Sequence, residues 1–327
     1  MLRPRVNINI TGEHKLFFDF CESCSVESSF DTFIDTATVA LPNKLRKFNK
    51  EIVSYIKKGD VITIDLGYNE NLERVFTGYI TQFNPQATMI LECEDEGYMC
   101  KRIALANKTY YNASLDTLIK AVYTKKYVIN GDIPNLGTLK IENSPTMMDL
   151  LVQLKDTYGI TSFFRDSVLN LQPALDILEK TTKFKTNYNI LERGNLQYQE
   201  ADKMATVSAV ISAQEDDTEI SWYAYWEGDQ IKTTQKQPAG RLSTMTVPKL
   251  SSATAKQYAI DRLSTQIYSG LVGSFKAFGK PFVRHSEKIE YIDNEFTDRS
   301  GVYVCESINY TLDTSGLRQN IFIKYKQ

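Results

Sequence analysis

Two stretches near opposite ends of this chain follow one plan. Gly59-Asp60-Val61-Ile62-Thr63-Ile64-Asp65 alternates apolar and polar residues, crosses a polar loop and resumes as Val75-Phe76-Thr77-Gly78-Tyr79-Ile80-Thr81. Ser286-Glu287-Lys288-Ile289-Glu290-Tyr291-Ile292 does the same and resumes as Gly301-Val302-Tyr303-Val304. Alternation with period two marks a half-buried strand, so each stretch predicts strand, turn, strand. Few residues are identical between the two. The shared plan predicts a chain that folds twice into similar small β units.

The length of 327 residues leaves room for two or three domains, each with its own core. A hydrophobic fraction of 42% and a charged fraction of 24% fit a soluble globular protein. The formal net charge of −2 supplies no bulk attraction to nucleic acid or to a membrane. Specific nucleic-acid binding is therefore not expected. Met1-Leu2-Arg3-Pro4-Arg5 leads into the strand pattern Val6, Ile8, Ile10 and not into the apolar core of a signal peptide. No apolar run approaches the roughly 20 residues of a membrane helix. The expectation is synthesis in the cytosol and no membrane insertion by the chain itself.

Residues 1–103 read as a first β-barrel domain. The strand signals are Val6/Ile8/Ile10, Leu16 to Phe20, Thr38 to Leu41, Val61 to Leu66, Tyr79/Ile80 and Met89 to Cys93. Residues 104–193 read as an α+β domain. Ser114 caps a helix with Leu115, Leu118, Ile119 and Val122 on one face. Ser144 at the cap and Pro145 at the first position open a second helix, which Gly159 ends. Ile160 to Phe164 and Val168 to Leu171 then predict a hairpin. Residues 194–227 and 280–327 read as a second β-barrel domain. Residues 228–279 read as an insertion, polar and irregular to residue 250, with a helix opened by Ser251 or Ser252 and faced by Ala255, Ala259, Leu263 and Ile267. The predicted class is mainly β with α+β insertions.

Chemistry-bearing motifs are few. Cys21 and Cys24 form a C-x-x-C, but Cys93 and Cys100 are spaced too widely for a second zinc knuckle, and Cys305 is alone. Reduced cytosolic thiols are the plain reading. His14, beside a strand start, and His285, in a polar turn, read as ordinary surface or turn histidines. The acidic clusters Glu92-Cys93-Glu94-Asp95-Glu96 and Glu215-Asp216-Asp217 end predicted strands and read as solvated turns, against a carboxylate-pair or hard-cation alternative. Gly270, Gly273 and Gly279 lack the Lys-Ser/Thr ending of a phosphate loop. Lys44, Arg46, Lys47 and Lys50 around Phe48, with Lys57 and Lys58, read as a solvated or protein-contact surface before a nucleic-acid patch. Trp222 and Trp226, with Tyr223 and Tyr225, read as core plus exposed face, with a sugar platform as the alternative. No catalytic, cofactor-binding or metal residue is expected.

Four phrases in order carry a family resemblance. They are Lys58-Gly59-Asp60-Val61 through Val75-Phe76-Thr77-Gly78-Tyr79-Ile80 to Cys93-Glu94-Asp95; Ser144-Pro145-Thr146-Met147-Met148-Asp149 through Tyr158-Gly159-Ile160; the helix from Ala253 to Tyr268 followed by Ser269-Gly270-Leu271-Val272-Gly273-Ser274 and Gly279-Lys280-Pro281; and Ser300-Gly301-Val302-Tyr303-Val304 through Asn309-Tyr310 to Ser315-Gly316-Leu317 and Ile321. In these the chain resembles the baseplate hub proteins of contractile phage tails, the late control protein D family, which are similar to the N-terminal hub region of type VI secretion VgrG spike proteins. Where the family often has Gly-Asp before its last β segment, Ser286-Glu287 stands here. The resemblance implies a structural, non-enzymatic protein without cofactors. It implies a homotrimer of pseudo-sixfold symmetry that joins a hexameric tail tube to a trimeric central spike. Baseplate wedge proteins, and the tape measure protein as a further contact, are the implied partners. The implied place is the virion tail baseplate or a related injection particle, made in the bacterial cytoplasm. A tail-associated peptidoglycan hydrolase and a carbohydrate-binding β module are the alternatives. The first would need a paired carboxylate or Cys/His site, and the second would use Trp222 and Trp226.

Overall fold

The computed structural model describes residues 3–45, 51–131, 133–173, 180–200, 206–213, 218–228, 230–247 and 249–326. The N-terminal region contributes β1 (Pro4–Thr11), β2 (Lys15–Phe18), β3 (Ser23–Ser29), β4 (Thr36–Pro42), β5 (Val61–Tyr68), β6 (Asn71–Asn84) and β7 (Thr88–Glu94). Period-two alternation decides which side of each strand is dry. Ile8, Ile10, Ile62, Ile64 and Leu66 are fully buried, while Asn9, Thr63 and Asp65 between them reach solvent. Each such apolar side chain contributes about 1.5–3 kcal/mol by leaving water.

The middle region holds α1 (Gly97–Cys100), β8 (Lys108–Tyr110), α2 (Leu115–Val122), β9 (Tyr127–Ile129), β10 (Leu139–Ile141), α3 (Met147–Tyr158), β11 (Ile160–Arg165) and β12 (Val168–Pro173). Ser114 caps α2 through its side chain, and Gly159 closes α3 at φ +68°, both as expected. The start of α3 differs from the expectation at Ser144-Pro145. Its cap is Thr146, because Thr146 and Asp149 satisfy each other's amides in a capping box. Ser144 stands at φ +49° in the approach, and the Pro145 carbonyl accepts the Leu105 amide at 2.8 Å. The hairpin β11–β12 forms as expected. Arg165 pairs with Val168, and Asp166 and Ser167 turn at φ +50° and +63°, the double left-handed turn whose twist suits a two-residue hairpin.

The remaining elements are β13 (Thr181–Lys185), β14 (Ile190–Glu192), β15 (Gln197–Gln199), β16 (Thr206–Ala213), β17 (Glu219–Glu227), β18 (Gln230–Thr234), β19 (Arg241–Thr246), α4 (Ser252–Gln266), β20 (Gly270–Phe278), β21 (Lys288–Ile292), β22 (Gly301–Asp313) and β23 (Gly316–Lys326). Two placements depart from the sequence reading. β16 and β17, read as part of the second barrel, pair with β18 and β19 in a separate four-stranded sheet. Val210, Ala224 and Met245 of that sheet pack on Ala255, Ala259 and Leu263 of α4 and share a core with the middle region. The segment read as irregular between 228 and 250 supplies β18 and β19. Conversely β20, read as part of the insertion, pairs with β23 in the main sheet.

The fold is mainly β with a few helices. Fourteen strands form one sheet along the path β14-β20-β23-β22-β3-β4-β7-β6-β5-β1-β2, with β13, β15 and β21 attached beside it. One apolar core runs under both β regions, from Ile8 and Ile62 to Phe275 and Tyr291.

Candidate functional site: the seam between two β modules

The hairpins β5–β6 and β21–β22 are built on the same hydrogen bonds. The Gly59 amide donates to the Ile80 carbonyl at 2.8 Å, and the Ile80 amide donates to the Asp60 carbonyl at 2.9 Å. In the second hairpin the Ser286 amide donates to the Cys305 carbonyl at 2.7 Å, and the Cys305 amide to the Glu287 carbonyl at 2.9 Å. Each acid also caps its own turn. The Lys57 amide donates to the Asp60 carboxylate at 2.8 Å, and the Arg284 amide to the Glu287 carboxylate at 3.1 Å. Gly59 turns at φ +93° and Ser286 at φ +64°, so Ser286-Glu287 performs the work of Gly59-Asp60. Further along, the ladder slips between Ile80 and Gln82 against β7 and between Cys305 and Ser307 against β23. β4 then follows β7 as β20 follows β23. The similarity expected from sequence is thus present bond by bond.

The second module joins the first through direct strand pairing. On one edge β22 pairs with β21 over Gly301 to Val304 and then with β3 from Ser307 to Leu312, while β23 lies along its other edge. Ile308, Tyr310 and Val26 are buried at this seam. On its opposite face Asn309 donates from Nδ2 to Glu27 Oε1 at 3.3 Å, and Ser25 Oγ donates to Asn309 Oδ1 at 3.0 Å.

A polar cluster lies beside the seam, where the β11–β12 hairpin meets both modules. Asp35 accepts from Ser28 Oγ at 2.6 Å and from the Ser29 amide at 3.1 Å. Asp95 accepts from the amides of Asp35 at 3.1 Å and Gly97 at 2.8 Å. Burial pushes the Asp35 carboxyl up to about 7, against the opposing pull of those two donors and of Arg165. Burial, then the neighbouring Asp35 charge, holds Asp95 well above the usual range. Arg165 donates to the His285 carbonyl at 3.0 Å, and Arg284 donates to the Arg74 carbonyl at 3.1 Å. These bonds tie first module, middle region and second module together. The cavity among them holds about 50 Å³, room for a few waters.

His285 corrects the sequence reading. It is 2% exposed, edge-on to Phe163 at 4.5 Å, and burial, then Arg165 and Arg284, hold it neutral well below its usual range. Its place in the seam comes from tertiary packing, which no local pattern announces. His14 is exposed and edge-on to Tyr55 at 5.3 Å. The cluster at Glu92 to Glu96 is also not wholly a solvated turn, because Asp95 and Glu96 are buried and Glu96 pairs with Lys125 at 2.8 Å. Glu215-Asp216-Asp217 lies outside the described residues, as do Arg46, Lys47, Phe48 and Lys50. Lys44 pairs with Glu51 at 3.1 Å.

All five cysteines are free thiols. Among the described residues no three His, Cys, Asp or Glu side chains gather in a metal-binding group. Gly270 and Gly273 belong to β20, and a Cβ on Gly273 would stand 2.6 Å from the Asn195 carbonyl oxygen, so the close approach of the link between β14 and β15 explains that glycine. Trp222 donates from Nε1 to Ser252 Oγ at 2.9 Å and, with Trp226, packs on the core shared with α4. A second cavity of about 370 Å³ lies between α3, α4 and β22–β23, with Phe30, Tyr158, Met245, Tyr258 and Tyr325 in its wall. The hydroxyls of Tyr158 and Tyr258 donate to the backbone carbonyls of Leu136 and Pro134 at 2.8 and 3.2 Å.

No family model and no curated protein matches the sequence. The fold does match solved structures. A tail protein from Neisseria meningitidis superposes with a TM-score of 0.67 at 14% identity, covering 98% of this chain and 96% of that one. A prophage tail protein from Shewanella oneidensis gives 0.66 at 14% identity, covering 98% of both. An Escherichia coli protein described as a component of the type VI secretion system, with structural similarity to T4 bacteriophage tail proteins, gives 0.58 at 9% identity over 98% of this chain and 79% of that one. The chain therefore has the fold of phage tail proteins and their type VI secretion relatives.

Proposed function

We propose that this protein is a structural hub of a contractile tail or a related injection particle. Three copies form a ring of six β modules, which seats a sixfold tail tube on one side and a threefold spike on the other. The observation that carries this reading is the duplicated hydrogen-bond plan of Gly59-Asp60/Ile80 and Ser286-Glu287/Cys305, in a chain with a tail-protein fold. A ring of heterologous contacts closes at one rotation only, and two like modules per chain turn three copies into six near-equivalent positions. The role is non-enzymatic. It requires rigid attachment, which the strand-paired seam and its buried polar cluster supply.

The middle region and the four-stranded sheet with α4 have their own core, apart from the modules. In this reading they dress the outside of the ring and meet baseplate wedge or spike proteins, within the virion tail baseplate. The test is the particle mass in solution by light scattering, followed by electron microscopy of the protein with its tail tube protein. Trimers that cap tube ends support the reading. Cell-wall lysis by the purified protein, or a strict monomer that ignores the tube, overturns it.

A further inference from the structure

The internal seam specifies an edge that no strand among the described residues covers. Beyond Ile80, β6 corresponds to β22 beyond Cys305, since both ladders slip at the next step. Gln82, Phe83 and Asn84 therefore correspond to Ser307, Ile308 and Asn309. Those three residues of β22 pair with Ser29, Ser28 and Glu27 of β3. Among the described residues, no strand pairs with Gln82–Asn84 on the β5 side, because β5 ends its pairing with β6 at Val61–Tyr79.

The counterpart of β3 in the second module is β15. Glu27 pairs with Thr36 of β4, and Gln197 pairs with Val272 of β20. Thr36 precedes Ala37, which lies opposite Cys93, and Val272 precedes Gly273, which lies opposite Ile323. Cys93 and Ile323 in turn face the matching residues Ile80 and Cys305. By this chain of pairs Gln197, Tyr198 and Gln199 correspond to Glu27, Ser28 and Ser29. All three are exposed, Tyr198 at 73%, and among the described residues only β20 pairs with them.

We infer that β6 of one copy pairs antiparallel with β15 of a second copy, with Gln82 opposite Gln199, Phe83 opposite Tyr198 and Asn84 opposite Gln197. The partner is this same chain, and the inference rests on the hub reading. Two exposed strand edges with free backbone groups are complementary templates for each other. The side chains agree with the register. Phe83 is packed against the module core, and Tyr198 arrives on the same face, as Ser28 does opposite Ile308. Asn84 meets Gln197 as Asn309 meets Glu27, so the amide of Asn84 donates to Gln197 in place of the Asn309–Glu27 bond. Pro85 has no amide proton and limits the new ladder to these three pairs.

The test is oxidative cross-linking of the full chain carrying Gln82→Cys with Gln199→Cys, Phe83→Cys with Tyr198→Cys, or Asn84→Cys with Gln197→Cys. The out-of-register pair Gln82→Cys with Gln197→Cys and the unsubstituted chain are the controls. These positions lie at edges that no described strand covers, and circular dichroism verifies that each variant is folded before it is compared. At least one in-register pair gives a reducible ladder of dimer and trimer on a denaturing gel, and the out-of-register pair does not. An oligomer by light scattering without that ladder, or with equal cross-linking out of register, overturns this junction and leaves the hub reading standing. A chain that stays monomeric at every concentration, with and without its tail tube protein, overturns both.

Discussion

Asn309 reaches across the seam to Glu27 and donates from Nδ2 to Oε1 at 3.3 Å. The two residues belong to opposite ends of the sequence and to different modules. Their bond is solvent-facing, whereas Ile308 and Tyr310 on the other face of the same strand are buried.

The two faces of the seam differ in energy. Asn309→Ala should cost no more than about 1 kcal/mol, because an exposed hydrogen bond exchanges with water. Ile308→Ala should cost about 2–5 kcal/mol by leaving a cavity where both modules meet. Urea unfolding of the two variants checks the order, and equal costs would contradict the burial of Ile308.

Ser286 holds a left-handed conformation that Gly59 holds in the first module. Ser286→Gly relieves that strain but removes the buried hydrogen bond between Ser286 Oγ and His285 Nδ1 at 3.2 Å, and should destabilise by no more than about 1 kcal/mol net. Gly59→Val imposes a β-branched side chain at φ +93° and should destabilise by about 1–3 kcal/mol. Thermal melts of the pair measure the contrast.

Asp35 gives the seam a pH dependence of definite sign. Its carboxyl is raised to about 7 by burial, so the folded state holds a proton that the unfolded state has released by about pH 4. Its contribution to stability falls as pH rises from about 4 to about 7 and is flat above. Asp95 adds in the same direction. His285, held neutral by burial, acts oppositely, favouring the folded state above its unfolded pKa and weakening it as pH falls below about 6.5. Asp35→Asn removes one carboxyl only, so the wild-type minus variant stability should decline between pH 4 and 7. A flat difference curve would refute the assignment.

The thiols should separate by burial. Cys21 is partly exposed and burial pushes it up to about 11, while Cys24, Cys93 and Cys305 are enclosed and raised further. Iodoacetamide at neutral pH should label Cys21 first and slowly, and all five only after denaturation, because the thiolate is the nucleophile. Peptide mass spectrometry reads the order.

Leu263→Asp places a charge at a fully buried position of α4. It should loosen α4 and the four-stranded sheet while the modules keep their core, since Leu263 belongs to a separate apolar cluster. Hydrogen exchange should rise in 206–266 and stay slow in β5, β6 and β22. Loss of protection everywhere would show that the two cores are one cooperative unit.

Much of the local structure was legible because local patterns carry it. Alternation located β1, β5, β6 and β21, and Ser114, Ser251 and Gly159 marked helix ends. Ser144-Pro145 misled because the Thr146–Asp149 capping box, one residue further on, satisfies more amides. The strands β16 and β17 were recognised as strands but not in their sheet. Alternating residues fit any sheet with a dry face, and pairing with β19 across a long separation leaves no mark in composition.

His285, Asp95 and Glu96 read as solvent-facing because polar residues near turns usually are. The convergence of the first module, the β11–β12 hairpin and the second module encloses His285 and Asp95, while Tyr79 and Lys125 cover Glu96. The two strand-turn-strand units were legible from residue order alone, because alternation is a short-range consequence of residue type, whereas the closing of each turn by Asp60 or Glu287 emerged only in the folded turns. Only tertiary packing joins β22 to β3 and leaves the edges at Gln82–Asn84 and Gln197–Gln199 without a second strand among the described residues. Strand pairing is made by backbone groups common to every residue, so its partners are chosen by the packing of the whole chain.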